Sequence, residues 1–72
     1  GVAVDGTNGH LYFGGDGVIR RMNLDGSNVL TVVRGVSSVR DIELDIANGY
    51  IYWLDADTIS DFVGRVRLDD TD

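Results

Sequence analysis

Closely spaced carboxylates give this chain its strongest candidate for metal chemistry. Asp55 and Asp57 flank a single alanine, and Asp61 follows four positions later. Ca²⁺ takes about six to eight oxygen ligands, and several carboxylates on one loop can supply many of them. The EF-hand calcium loop, however, needs a ligand where Ile59 stands and a glycine where Ser60 stands. Calcium is therefore a candidate ligand here, without a recognised loop motif, and no other cofactor is expected.

His10 is the only histidine and the second group with potential chemistry, because a neutral imidazole can act as a general base. Such a base needs an orienting partner and a substrate proton within hydrogen-bond reach. The serines of the chain lie in no G-x-S-x-G setting, so the sequence offers no nucleophile motif to accompany the histidine. We therefore expect His10 to be a strand residue and the segment to be non-catalytic.

Charge and composition exclude several classes of partner. The 72 residues carry a formal net charge of -6, which argues against nucleic acid or an anionic membrane surface as a ligand. The whole excess lies in residues 37–72, where a second acidic cluster occupies positions 69–72. No cysteine is present, which excludes disulfides and thiolate zinc sites. Apolar runs are short, so no membrane insertion is expected.

An internal repeat organises the elements that carry these residues. Val2–Asp5 corresponds to Ile42–Asp45, and Asn8–Phe13 corresponds to Asn48–Trp53, both at a shift of 40 positions. Farther along, the shift grows to 44, which predicts a longer loop between Leu54 and Val63. Repeats of about 40 residues with several short strands are typical of β-propeller blades. We assign one repeat to residues 1–36 and a second to residues 37–72.

Alternation and turn residues predict an all-β chain of seven antiparallel strands, four in the first repeat and three in the second. Each Asn-Gly pair, at Asn8 and at Asn48, predicts a two-residue hairpin turn with positive φ at both positions. The predicted strands are 2–4, 11–13, 18–24, 29–33, 39–45, 50–54 and 63–68. The second repeat lacks a fourth strand, which would leave an open edge that native proteins rarely tolerate. The chain is therefore expected to be part of a longer protein or to assemble with further copies.

These motifs resemble the YWTD repeats of the low-density lipoprotein receptor class B family. The second strands, Leu11–Phe13 and Ile51–Asp55, are similar to the YWTD segment, and Asn23–Ser27 is similar to the NLDGS turn that follows it. The resemblance spans nearly the whole chain in the correct order. Departures remain, because Gly14-Gly15 stands where the family has Thr-Asp and Leu54 stands where threonine is usual. The sequence thus resembles a divergent member of the family, for which a bacterial source is one expectation.

The resemblance implies about two blades of a six-bladed propeller, in which the motif residues are structural and ligands bind loops at one end. With two repeats per chain, three copies would complete the ring unless the chain itself continues. It also implies an extracellular or cell-envelope location. The resemblance assigns this structural role to Asp5, Gly9, Tyr12, Phe13, Asp25, Gly26, Asp45, Gly49, Tyr52, Trp53, Asp55 and Asp69.

Two functions follow from these observations. The first is a non-catalytic scaffold for protein recognition, with blade-end loops as the contact surface. The loop from Asp55 to Phe62 is the best candidate, because it holds the insertion, and its contact residues would be Asp55, Asp57, Asp61 and Phe62. The alternative is part of a lactonase- or lyase-like propeller enzyme with a metal in its central channel, for which Asp41, Glu43 and Asp45 are candidate ligands.

Overall fold

Seven β-strands build the chain, and the computed structural model describes residues 1–56 and 61–68, with the backbone alone at Asp61 and Phe62. No helix occurs among these residues, so the predicted all-β class is confirmed. The strands are β1 (Val2–Asp5), β2 (His10–Gly15), β3 (Val18–Asn23), β4 (Leu30–Arg34), β5 (Val39–Asp45), β6 (Tyr50–Ala56) and β7 (Asp61–Arg67).

The strands form two antiparallel sheets in chain order. The first sheet has the order β1-β2-β3-β4 and the second has the order β5-β6-β7. The predicted division into four strands and three strands is therefore confirmed. Corresponding strands share one register, because Asp5 pairs with His10 in the first sheet and Asp45 pairs with Tyr50 in the second. The repeat in the sequence is thus also a repeat in strand pairing.

The four inserted residues of the second repeat only partly lengthen a loop. In the first sheet the β2–β3 ladder ends at the pair Gly15 and Val18. In the second sheet the β6–β7 ladder continues to the pair Ala56 and Asp61, one residue farther on each strand. The sequence-based expectation of a loop from Asp55 to Phe62 is wrong for its two ends. Extending an antiparallel ladder gives these backbone groups hydrogen-bond partners that a loop would leave to water.

The Asn-Gly turns also differ from the expectation. The connections are four residues long, at 6–9 and 46–49, and positive φ occurs at Gly9 (71°) and Gly49 (75°) but not at either asparagine. A side-chain clip explains the difference. The Asp5 carboxylate accepts hydrogen bonds from the Asn8 N–H (3.1 Å) and the Asn8 side-chain amide (2.7 Å). Such local bonds stabilise a four-residue loop in which the asparagine does not adopt positive φ.

The second repeat uses the same clip. The Asp45 carboxylate accepts hydrogen bonds from the Asn48 N–H (3.2 Å) and from its side-chain amide (2.9 Å). The turn with positive φ at both central residues lies elsewhere, at Asp16 (55°) and Gly17 (78°), where β2 meets β3. An Asp-Gly pair is well suited to such a turn.

One face of each sheet is buried against the other. The inner face of the first sheet carries Ala3, Tyr12 and Ile19. Ala3 pairs with Tyr12, and Ile19 pairs with Gly14, two residues farther along β2 on the same face. The inner face of the second sheet carries Ile42, Ile51 and Trp53. The core comprises Tyr12, Ile19, Val32, Val36, Ile42, Ile51 and Trp53. Alternation along each strand leaves the opposite side of both sheets as outer faces.

The two inner faces are not equivalent in the repeat. Tyr12 corresponds to Tyr52, which lies on the outer face of the second sheet. Conversely, Ile42 corresponds to Val2 on the outer face of the first sheet, and Val2 is 62% exposed. The second sheet therefore buries the face whose equivalent is the outer face of the first sheet. Such a front-to-back contact is heterologous, so the same kind of contact can in principle recur on both outer faces.

Small residues let the sheets approach closely. A Cβ atom built on Gly14 would lie 2.8 Å from the Cβ of Val39 on β5. On the outer face of the second sheet the equivalent of Gly14 is Leu54, and the equivalent of Ala3 is Glu43. The outer face of the second sheet thus carries bulkier and more acidic residues than the inner face of the first sheet, to which it is equivalent in the repeat.

The segment from Asn23 to Ser27 forms a tightly bonded turn. The Asn23 N–H donates to the Ser27 carbonyl (2.8 Å), and the Gly26 N–H donates to the Asn23 carbonyl (2.9 Å) with φ of 89° at Gly26. The Asp25 Oδ1 atom accepts hydrogen bonds from the Ser27 hydroxyl (2.6 Å) and the Ser27 N–H (2.9 Å). These bonds, the hydroxyl first, lower the pKa of Asp25 below its ordinary value.

Replacing Gly14 with alanine tests the close approach of the sheets. We expect G14A to lower the free energy of unfolding by about 1–3 kcal/mol, because the new methyl group overlaps Val39. The matched control is G15A, since a Cβ at Gly15 meets no atom within 4 Å. It should stay within about 0.5 kcal/mol of the parent chain in a urea titration. Equal losses in the two variants would contradict this account.

The Asp25 turn predicts a specific pH dependence. The pKa of Asp25 is lower in the folded chain, so its stabilisation is present at neutral pH and is lost as pH falls through that lowered value, below about pH 4. S27A should raise the pKa of Asp25 toward its ordinary value, because it removes the hydroxyl donor. NMR titration of the Asp25 carboxyl carbon measures this. In the control variant S37A, the pKa of Asp25 should not change. A rise in S37A as large as that in S27A would contradict the assignment of the lowered pKa to the Ser27 hydroxyl.

Candidate functional site

Asp55 ties the two sheets together at one end of the molecule. It lies on β6 and is 1% exposed. Its Oδ2 atom accepts a hydrogen bond from the Ser37 N–H (2.9 Å), and its Oδ1 atom accepts one from the Ser38 N–H (2.8 Å). Both serines belong to the connection between β4 and β5, which leads from the first sheet to the second. One carboxylate on β6 therefore holds this connection against the second sheet. We call this arrangement the Asp55 clamp.

The clamp offsets the cost of burying a carboxylate. Removing a charged group from water is expensive unless hydrogen bonds replace its hydration, and bonds to a charged acceptor are stronger than neutral ones. Here each oxygen has one backbone donor, and the Ala56 N–H adds a bond to the Ser38 carbonyl (2.9 Å). The connection is thereby held at three points, which fixes the base of the segment at positions 57–60.

The candidate calcium cluster is only partly described. Asp57 and residues 69–72 lie outside the described residues, and Asp61 is placed by its backbone alone, opposite Ala56. Within the described part of the chain, no three acidic or histidine side chains converge on one point. Asp55 directs both oxygens at backbone donors. Calcium binding by this segment stays a prediction.

Of the predicted contact residues, Asp55, Asp61 and Phe62 lie on strands that end near the Asp55 clamp, and Asp57 lies outside the described residues. Phe62 lies on β7, where its backbone pairs with Asp55. The turn at Asp16 and Gly17 and the connection 35–38 also lie at this end, and the Val36 N–H donates to the Gly17 carbonyl (3.1 Å). The structure therefore brings the paired ends of β6 and β7 next to two connections that are held by hydrogen bonds. We call this the clamp end.

His10 lies on β2 next to Tyr12, with ring centroids 6.5 Å apart in an edge-to-face arrangement. It pairs with Asp5 on one side and with Asn23 on the other. The Asp5 carboxylate is engaged by Asn8, so it is already committed to the turn. The histidine is placed as a half-buried strand residue, as its sequence position suggested.

The motif aromatics divide between core and surface. Tyr12 and Trp53 are buried between the sheets, whereas Phe13 and Tyr52 are half-buried on the outer faces. Gly9, Gly26 and Gly49 occupy positions with positive φ, and Asp5, Asp25 and Asp45 bond to their own turns. Asp69 lies outside the described residues.

The outer face of the second sheet carries a surface that our sequence reasoning did not identify. Cross-strand pairing arranges it in three rows, each running from β5 through β6 to β7. The rows are Asp41, Leu54 and Val63; Glu43, Tyr52 and Arg65; and Asp45, Tyr50 and Arg67. One strand is thus acidic, the middle strand is mostly aromatic, and the last carries two arginines. A depression of about 170 Å³ lies among Asp41, Glu43, Tyr52, Leu54 and Val63.

Alternation along β5 was the signal that could have revealed this face, because it places Asp41, Glu43 and Asp45 on one side of the strand. These are also the metal candidates of the enzyme alternative. Asp41 accepts a hydrogen bond from the adjacent Ile42 N–H (3.0 Å), and Asp45 is held by Asn48. Across the face, the Arg65 guanidinium lies 4.4 Å from the Tyr50 ring centroid, a cation–π contact.

Among residues 1–56 and 61–68, no helix is long and apolar enough to cross a membrane.

The Asp55 clamp can be tested by D55N. Asparagine keeps the shape of the side chain but turns its buried NH₂ group toward one of the two serine N–H groups. Two donors then face each other, and the serine N–H loses its acceptor. We expect a loss of about 2–3 kcal/mol in the free energy of unfolding. The matched control is D41N, because Asp41 is exposed and accepts a hydrogen bond from the N–H of Ile42, the next residue on the same strand. Chemical denaturation measures both, and a D55N chain as stable as D41N would rule out the clamp.

Comparison with known proteins finds no family model that matches this chain and no solved structure significantly similar to it. Membership of the YWTD family therefore stays a prediction from the sequence motifs.

Proposed function

We propose that this chain is a non-catalytic scaffold for protein recognition, made of about two blades of a YWTD-like β-propeller. The observation that supports the proposal most is the Asp55 clamp. The aspartate corresponds to the last residue of the YWTD motif in the second repeat, and it ties the inter-sheet connection to the base of the predicted contact segment. A rigid frame that presents variable connections is a common basis for recognition.

The packing of the sheets also supports a blade assignment. Propeller blades are short antiparallel sheets that stack front to back, and here the back of the second sheet packs on the front of the first. Both outer faces retain the apolar residues that such a stack requires, Val2 and Val4 on one and Leu54 and Val63 on the other. In this proposal further blades cover these faces, either from the same chain or from two more copies in a six-bladed trimer.

Recognition is assigned to the clamp end. Two described connections lie there, at Asp16–Gly17 and 35–38, and hydrogen bonds from backbone N–H groups fix both of them. The ladder of β6 and β7 ends beside them at the pair Ala56 and Asp61. A fixed base reduces the conformational entropy that a loop loses when it binds, which raises affinity for a given contact area. An extracellular or cell-envelope location is part of the same proposal.

Replacement of positions 57–60 by Gly-Ser-Gly-Ser tests this assignment, and F62A tests it at one residue. The immobilised chain is exposed to the envelope and secreted proteins of the source organism, and retained proteins are identified by mass spectrometry. We expect both variants to keep the parent's thermal midpoint and to lose at least about tenfold in capture of a common partner, since a few contact residues carry most of an interface's affinity.

The matched control carries I46S and A47S. These two residues are exposed on the loop between β5 and β6, at the opposite end of the second sheet. This variant should capture the same protein as the parent chain. Equal capture by the 57–60 variant and the parent would contradict the assignment to the clamp end, and so would a large loss of stability in F62A, which would make Phe62 a core residue.

A further inference from the structure

Two Asn-Gly pairs occupy equivalent turns, and this dipeptide is open to a reaction of its own. The backbone nitrogen of the residue that follows an asparagine can attack the side-chain carbonyl carbon of that asparagine. Glycine obstructs this attack least, because it has no Cβ atom. The two pairs are Asn8 with Gly9, between β1 and β2, and Asn48 with Gly49, between β5 and β6. The recognition function proposed above uses neither turn.

The reaction is a spontaneous deamidation, and its only co-reactant is water. At the first turn, the Gly9 nitrogen loses its proton and forms a bond to the Cγ atom of Asn8. The bond from Cγ to Nδ2 then breaks, and Nδ2 takes up a proton and leaves as ammonia. Water opens the resulting succinimide ring at either of its carbonyl carbons. The product is aspartate or isoaspartate at position 8, so a neutral amide has become a carboxylate.

The side-chain clip opposes this reaction in two ways. The Nδ2 atom of Asn8, which must leave, donates to the Asp5 carboxylate at 2.7 Å, and the Asn8 N–H donates to the same carboxylate at 3.1 Å. Attack from the following residue therefore requires the amide group to leave this partner. The carboxylate also places a negative charge beside a carbonyl group that becomes an oxyanion during the attack, and like charges repel. Asp5 is 2% exposed, so water screens this repulsion little.

The second turn has the same restraint in a more accessible setting. The Nδ2 atom of Asn48 donates to the Asp45 carboxylate at 2.9 Å, and the Asn48 N–H donates to it at 3.2 Å. Asp45 is half-buried, so water screens its charge more than that of Asp5. The Gly49 N–H donates to the Ile46 carbonyl at 3.2 Å, which also restrains the attacking nitrogen. Each turn thus holds its leaving group on a carboxylate three residues earlier.

We propose that Asn8 and Asn48 are sites of spontaneous deamidation, and that the aspartate three residues before each of them sets its rate by holding the amide Nδ2 atom. The folded chain keeps both asparagines for as long as the clips stay closed. Conversion removes the clip, because the new carboxylate has no Nδ2 donor and at position 8 it faces the buried charge of Asp5. This inference goes beyond the proposed recognition function and does not depend on it.

Mass spectrometry of peptides from the incubated full chain measures the conversion of each asparagine separately. Incubation at mildly alkaline pH speeds the reaction, because the attacking nitrogen must lose a proton. In the parent chain we expect both asparagines to convert at least about tenfold more slowly in buffer than in concentrated urea. D45A should speed the conversion of Asn48 at least about fivefold and leave that of Asn8 unchanged. D5A should do the reverse, so the two turns are internal controls for each other.

Two further sets of variants complete the experiment. D41A removes an exposed carboxylate from the same strand as Asp45 and leaves the clip intact, so Asn48 should convert at the parent rate. N8D and N48D copy the direct product of each turn. A urea titration should show the larger loss of stability in N8D, because its new carboxylate faces the more deeply buried aspartate.

Three outcomes would overturn the proposal. The first is conversion of both asparagines in the folded parent chain as fast as in urea. The second is an unchanged rate at Asn48 in D45A. The third is equal acceleration of both asparagines in each clip variant, which would assign the control to general unfolding instead of the local bonds. Because D45A changes a half-buried residue, it keeps the proposal testable even if D5A does not fold.

Discussion

The front-to-back packing of two small sheets is the constraint on which the rest of the structure depends. Neither sheet has a second layer of its own, so each buries apolar residues only against the other. Side chains such as Ile19 and Ile51, which are fully buried, contribute about 1.5–3 kcal/mol each relative to the exposed state. Close approach of the backbones makes this burial complete, and it requires Gly14 where β5 crosses β2. The glycine is therefore a packing residue rather than a turn residue.

Carboxylates supply the local order that the small core does not. Asp5 and Asp45 close equivalent turns through the same pair of bonds to asparagine, and Asp55 closes the contact between the sheets. In all three places the acceptor is charged and the donors are fixed, which strengthens each bond. Asp5, Asp45 and Asp55 are thus engaged in structure, whereas Asp41 and Glu43 are exposed on the outer face of the second sheet.

In the second sheet, the clamp end and the outer edge of β7 present different groups. At the clamp end, the turn at Asp16–Gly17 and the connection 35–38 are joined by a backbone hydrogen bond, and Asp55 holds the second of them. Among residues 1–56 and 61–68, no strand pairs with the outer edge of β7, and the buried Trp53 indole N–H has no acceptor. The first sheet differs, because β4 covers β3 and a two-residue turn joins β2 to β3.

The sequence by itself determined the all-β class, the seven strands and the repeat, because alternation and turn residues are local signals. It also located the turn at Asp25, whose bonds span only a few residues. It misplaced the positive φ at Asn8 and Asn48, since the clip from the preceding aspartate competes with the hairpin turn that Asn-Gly favours alone. Only the tertiary structure decided that Asp55 bonds to Ser37 and Ser38, and that the Trp53 indole reaches across Gly64. Those contacts join residues that are distant along the chain or lie on adjacent strands, and they depend on how sheets and strands approach each other, which no local pattern encodes.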